Sequence, residues 1–268
     1  MLVQCVLFDG FDPLDVLAPY EVLYMGGAAV GGALTVELVS AEGAREVPSG
    51  LTGVSLRAVG RLDPRRADVI VVPGAASRVL AADTGAVGEP EPDAVGAAGE
   101  AGAAAAAGAA GEAGAAAAAG AAAAAGEARE GAGETGEESV PALLARTLRT
   151  DLPALLKEAL DKDGLTVATV CGGSLVLAMA GLIEGRPATT HRLGLDALDA
   201  TGAVVVDARV VDDGDLISAA GVTSGLDLGL HLLDREVGPR VAQAVERLFA
   251  HERRGIVWRP VGPEPVGL

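Results

Sequence analysis

Apolar residues in this chain fall in short, dense runs broken by glycine, proline and acidic punctuation. Residues 2–8 form the first run and predict a buried strand. Asp9-Gly-Phe-Asp-Pro13 then turns into an apolar helix over about 14–25. Residues 34–40 predict a second strand, and 45–59 a short hairpin on the sheet edge with Pro48 and Gly50 in its turn. The run at 67–73, Ala-Asp-Val-Ile-Val-Val-Pro, is strongly hydrophobic and ends in Pro73-Gly74. Strands that are continuously apolar, rather than alternating, belong to parallel sheets covered by helices.

The alternation resumes near Ser139. Residues 140–162 predict one or two helices interrupted at Pro153, and 165–170 a strand feeding Cys171. A helix follows to about Ala180 and stops at Gly181; another runs from His191 to about Ala200. Residues 204–211 and 216–219 predict a hairpin around Asp213-Gly214, a strong turn dipeptide. Helices over 224–236 and 239–253 close the fold. The pattern predicts one α/β domain over 1–268, doubly wound about a mostly parallel sheet.

One stretch breaks the pattern. Residues 83–138 are almost wholly Ala, Gly and Glu, with no side chain large enough to offset the entropy of ordering. They predict a disordered low-complexity insertion, and 257–268 predicts a Pro/Gly-rich tail. The insertion also explains the charge. It holds eleven acids against Arg129 alone, so most of the net charge of -17 is local. Such a chain has no electrostatic footprint for nucleic acid or anionic lipid. Its two cysteines are no disulfide framework, and its first apolar run is too short for a signal peptide or a membrane span. A cytoplasmic protein is the expectation.

The candidate chemistry centres on Thr166-Val-Ala-Thr-Val-Cys171-Gly-Gly-Ser. A β-branched strand running into a cysteine, two glycines and an apolar helix sets a thiol at a sharp strand-to-helix turn. This is the cysteine counterpart of a nucleophile elbow. Ligands of open parallel sheets bind beyond the carboxyl ends of the strands. Asp15 after the first strand, Gly74 after Pro73, and Cys171 all lie at such ends. No histidine or cysteine cluster has metal-ligand spacing.

The segments 8–22 (FDGFDPLDVLAPYEV), 68–75 (DVIVVPGA), 170–182 (VCGGSLVLAMAGL), 188–191 (ATTH) and 219–232 (AAGVTSGLDLGLHL) resemble the DJ-1/PfpI superfamily, in its isonitrile hydratase-like branch. The resemblance covers nearly everything outside 83–138. It implies a flavodoxin-like sandwich, usually a homodimer, with Cys171 as reactive thiol and Asp15 beside it, four residues before Pro19 as the pattern LDxxxP requires. A protonated Asp15 donating to the thiolate would lower the cysteine pKa and raise its own. Backbone amides of Gly172 and of Gly74-Ala75 would form the oxyanion hole. Pro19 and His191 would edge the pocket, although a helix-start histidine bonded to backbone is an equal reading of His191.

Gly172 departs from that branch, whose hydratases typically carry threonine after the cysteine. Ser174 is near but reads as a helix cap. The peptidase-like pattern needs histidine at position 172, and amidotransferases need a His-x-Glu pair that neither His231 nor His251 supplies; His231, in an apolar helical run, reads as packing. The resemblance therefore implies a cofactor-free cysteine enzyme acting on a small molecule, most concretely an isonitrile hydratase-like lyase. Glyoxalase-type action on 2-oxoaldehydes and a non-catalytic ligand- or redox-sensing module are the alternatives. Related AraC-type regulators carry a DNA-binding tail for which the chain leaves no room after its closing helix, so no nucleic-acid partner is expected.

Overall fold

The computed structural model describes residues 1–77 and 138–263. The expected insertion at 83–138 therefore lies, but for Glu138, outside the described residues. The main sheet joins β1 (Leu2–Leu7), β2 (Thr35–Ser40), β5 (Gly60–Arg61), β6 (Val69–Val72), β7 (Thr166–Val170), β10 (Val210–Asp212) and β11 (Leu216–Ala219). Their order is β10-β11-β7-β6-β1-β2-β5, parallel throughout except for β10 against β11. Every residue of β6, β7 and β11 is buried. This is why those strands carry apolar and small residues on both faces.

Helices cover both sides. On one, α1 (Pro13–Ala29) packs along α6 (Ser224–Glu236), which in turn meets α7 (Pro239–Leu248). On the other, α2 (Val140–Thr147) and α3 (Leu152–Leu160) pack against α4 (Gly173–Met179), and α4 against α5 (Leu195–Asp199). The doubly wound α/β architecture is thus as expected, and it brings the ends of β1, β6, β7 and β11 to one edge.

Four local expectations need correction. The hairpin β3 (Arg45–Pro48) and β4 (Ser55–Ala58) forms its own two-stranded sheet, with Pro48 paired to Ser55 rather than in the turn. Val204–Val205, β9, pairs in parallel with β8 (Pro187–Ala188) and takes no part in the β10–β11 hairpin. The break between α2 and α3 falls at 148–151; Pro153 sits in the first turn of α3, where a missing N–H leaves no bond unmade. Finally, α7 stops at Leu248, and Trp258 returns to bridge Val211 at the β10 edge.

Candidate active site

Cys171 follows β7 directly and adopts φ 55°, a left-handed backbone that few residues other than glycine take. Its N–H donates to Ala219 O at 2.9 Å and its carbonyl accepts from Thr190 Oγ1 at 2.7 Å, so neighbouring segments hold the turn from both sides. Beneath it, Ser174 Oγ shares a hydrogen bond with Thr169 Oγ1 (2.6 Å) and donates to Thr189 O (2.7 Å). Ser174 therefore ties the elbow to the 188–191 segment and caps no helix, contrary to expectation; the cap position belongs to Gly172.

Asp15 comes from the first turn of α1 and is fully buried. Its Oδ2 accepts from Gly74 N–H at 2.9 Å, while Oδ1 has no hydrogen-bond partner. The carboxyl interacts with the Cys171 thiol, and each shifts the titration of the other. Burial pushes the Asp15 carboxyl up to about 8 and the charge of Asp12 adds to this; the Gly74 N–H and the thiol work the other way. Burial raises the thiol as well, then the charge of Asp15, against a lowering bond from Gly172 N–H. The sequence reading of a depressed thiol pKa is thus reversed: at neutral pH the ligand-free pair is carboxylic acid and thiol, both neutral.

Close approach explains two glycines. A Cβ on Gly74 would lie 2.6 Å from Gly172 N and 2.9 Å from Asp15 Oδ2. One on Gly172 would lie 3.0 Å from Leu144 Cδ1, so α2 fills the space that a side chain at 172 would occupy. Because Gly74 N–H is spent on Asp15, it is not available as an oxyanion donor. Gly172 N–H faces the sulfur, and Ala75 N–H makes no hydrogen bond to a described residue.

The two expected pocket residues separate. Pro19 is buried in the α1–α6 interface, against the Cα positions of Gly225 and Gly229. Its missing N–H also frees the Asp15 carbonyl, one helical turn back, from its intrahelical bond. His191 accepts from Leu193 N–H through Nδ1 at 3.2 Å, capping a short 3₁₀ turn, with its ring edge against Gly221. It stands one residue from Thr190 and so flanks the elbow without touching Asp15 by any described bond. His231 is no mere packing residue: Nε2 meets Asp212 Oδ2 at 2.8 Å, both buried, far down the sheet edge from Cys171. Among the described residues, no group of three His, Cys, Asp or Glu could hold a metal ion, and no helix is long and apolar enough to cross a membrane.

Residues 143–235 match the DJ-1/PfpI family. Over most of its length the fold matches a DJ-1 superfamily protein from Salmonella typhimurium (C103A mutant), at TM-score 0.61 and 18% identity, covering 94% of this chain and 98% of that one. A ThiJ/PfpI family protein from Pseudomonas syringae matches at TM-score 0.59 and 21% identity, over 100% of this chain and 78% of that one. The family match is thus confined to residues 143–235, and the solved structures share the fold.

Among curated relatives, the isonitrile hydratase of Pseudomonas putida is 48% identical over 80 residues, 30% of this chain and 35% of that protein. The HTH-type transcriptional regulator CdhR of Pseudomonas aeruginosa is 38% identical over 106 residues, 38% of this chain and 32% of that protein. The chain thus spans about a third of the length of these relatives. Relatives named as HTH-type transcriptional regulators also leave the expected absence of a nucleic-acid partner without support from the comparisons.

Thr190 and Leu144 were not singled out in the sequence. Thr190 stood inside the DJ-1/PfpI-like ATTH segment, which was the available signal. Leu144 had none, because only the folded chain lays α2 across Gly172.

Proposed function

We propose that this chain is a cofactor-free cysteine enzyme acting on small electrophilic carbon compounds, and that it hydrates an isonitrile to an N-substituted formamide. The observation that carries the reading is Asp15: a fully buried carboxyl, protonated up to about pH 8, set against the Cys171 thiol with one oxygen unpartnered. The local identity to the isonitrile hydratase of P. putida supports it.

In this reading, sulfur forms a bond to the isonitrile carbon while Asp15 gives its proton to that carbon and takes the thiol proton. The product is the thioimidate R–N=CH–S–Cys171. Water then adds to the same carbon and the nitrogen takes up a proton. Collapse breaks the carbon–sulfur bond, releases R–NH–CHO and returns a proton to the thiol. The amides of Gly172 and Ala75 bond the oxygen that water places on the tetrahedral carbon. A 2-oxoaldehyde would use the same thiol through a hemithioacetal. The protein acts in this reading as a cytoplasmic homodimer without nucleic acid, and exposed Leu14 and Tyr24 on α1 are consistent with a partner copy.

Cys171→Ala should fold and lose all conversion of isonitriles and methylglyoxal, followed by NMR. Persisting conversion would overturn the nucleophile assignment. The likeness to CdhR favours a second reading, a ligand- or redox-sensing module. Oxidation needs thiolate, which burial suppresses here. Rapid sulfinic acid formation at Cys171 in dilute peroxide, with no turnover of any substrate, would replace the enzyme reading with the sensor.

A further inference from the structure

Among the described residues, two enclosed side-chain atoms lack a hydrogen-bond partner: Asp15 Oδ1 and Ser224 Oγ. Ser224 is fully buried, in the first turn of the thirteen-residue helix α6. Burying a hydroxyl with nothing to bond is unfavourable, and native folds hold few such groups. Two of them, on different elements, call for a common explanation.

They share one corner of the molecule. Gly225 packs against Ala18 and Pro19, Gly229 against Val22, and Gly26 against Leu233, so α1 and α6 run side by side in the same direction. Their first turns, with Asp15 on one and Ser224 on the other, consequently meet at the same end, beyond the carboxyl ends of β1 and β11. A second path leads from Ser224 to the thiol. Its N–H donates to Gly221 O at 2.7 Å, Gly221 lies against the His191 ring, and the adjoining Thr190 bonds to Cys171 O. The hydroxyls nearest the elbow, those of Thr169, Ser174 and Thr190, are already committed. Among the described residues, Ser224 is the fully enclosed hydroxyl that neither donates nor accepts, and it stands where the helix amides add positive potential.

We infer that Ser224 contacts substrate in the Cys171–Asp15 site, donating its hydroxyl proton to a nitrogen or oxygen on, or one bond from, the carbon that sulfur attacks. The inference rests on the reading of Cys171 as the reacting thiol, and it narrows the substrate class to small neutral molecules with a nitrogen or oxygen acceptor at one of those positions. An imine nitrogen gains its lone pair only once sulfur has added, so the bond would strengthen along the reaction rather than in the ground state.

Two alkylating probes of similar size test this independently of turnover. Iodoacetamide carries a carbonyl acceptor beside its reacting carbon and iodoethane carries none. Rates at Cys171 are read by intact-protein mass spectrometry, with Cys171→Ala correcting for Cys5. Ser224→Ala should slow iodoacetamide about fivefold, the size of one ordinary hydrogen bond, and leave iodoethane within about twofold, with no fall in Tm. Ser224→Thr, which keeps the hydroxyl, should restore the iodoacetamide rate. Equal slowing of both probes, or none, would remove Ser224 from the site. If the wild type turns over isonitriles, Ser224→Ala should lower kcat more than it raises KM. Should the wild type turn over neither isonitriles nor methylglyoxal, the enzyme reading falls while the probe pair still decides the role of Ser224.

Discussion

Replacing Asp15 by asparagine should stabilise this protein, and by an amount that depends on pH. The carboxyl is fully buried and holds its proton up to about pH 8, against about 4 in an unfolded chain. Between those values the native state binds one proton more than the unfolded state, so stability falls as pH rises. The limiting slope is about 1.4 kcal/mol per pH unit, and four units set a ceiling of about 5 kcal/mol above pH 8. Asparagine carries no such proton, yet its amide oxygen can still accept from Gly74 N–H. Urea unfolding of both proteins by circular dichroism, at pH 4, 5, 6, 7 and 8, reads the difference directly. The variant's advantage should grow by about 1 kcal/mol per unit from pH 5 to 8. A constant difference across that range would refute the burial argument. The same proton governs the proposed chemistry, so wild-type turnover should fall as pH passes about 8, where Asp15 loses its acid form.

Three further outcomes follow from the packing. Gly172→Thr should destabilise by about 1–3 kcal/mol through overpacking and Leu144→Ala by about 2–5 kcal/mol through the cavity it leaves. The double variant should lose less than the sum, by at least about 1 kcal/mol in a denaturation cycle, whereas strict additivity would deny that the two share one space. Gly74→Ala places a methyl 2.6 Å from Gly172 N; alkylation of Cys171 should slow by about tenfold as the elbow shifts, equivalent to about 1.4 kcal/mol, and an unchanged rate would contradict the close approach. At Asp212, burial works upward, but the His231 hydrogen bond, the Gly214 N–H and the charges of His231 and Arg235 outweigh it and hold the carboxyl at about 2. Its contribution is present above about pH 4 and lost as pH falls toward 2, so Asp212→Asn should flatten the acid-unfolding limb seen by circular dichroism; coincident wild-type and variant limbs would show that the pair does not matter.

The parts of this fold legible in the sequence are those where local pattern and burial agree. The Val-Ile-Val-Val run of β6 is apolar on both faces because both faces are covered, and the β-branched run into Cys-Gly-Gly marks a turn that only small residues permit. Pairing partners were less legible. Val204 and Val205 look like the start of a hairpin arm, but nothing in their type says that they pair with Pro187 and Ala188. Polar residues misled for the same reason. Ser174 at a helix start has the form of a cap, yet Thr169 and Thr189 offered its hydroxyl better partners. His231 in a run of leucines has the form of packing, and its partner Asp212 is nineteen residues away. The backbone was the least visible. Gly74 reads as a donor to substrate, and only the folded chain shows that Asp15 already takes its N–H.

That last exchange bears on what the site can do. An oxyanion hole built on Gly74 would leave Asp15 without its anchoring bond, and an ionised Asp15 would oppose any charge forming on the thiol. The arrangement found does the reverse. One oxygen of Asp15 is fixed by Gly74, the other is free, and burial keeps the acid protonated until about pH 8. A neutral acid and a neutral thiol cannot make a standing thiolate for oxidants to find. They can add sulfur and hydrogen together across a neutral carbon, because no net charge then appears in a buried site. Under the proposed reaction, the features that weaken Cys171 as a free nucleophile are the ones that would suit it to concerted addition.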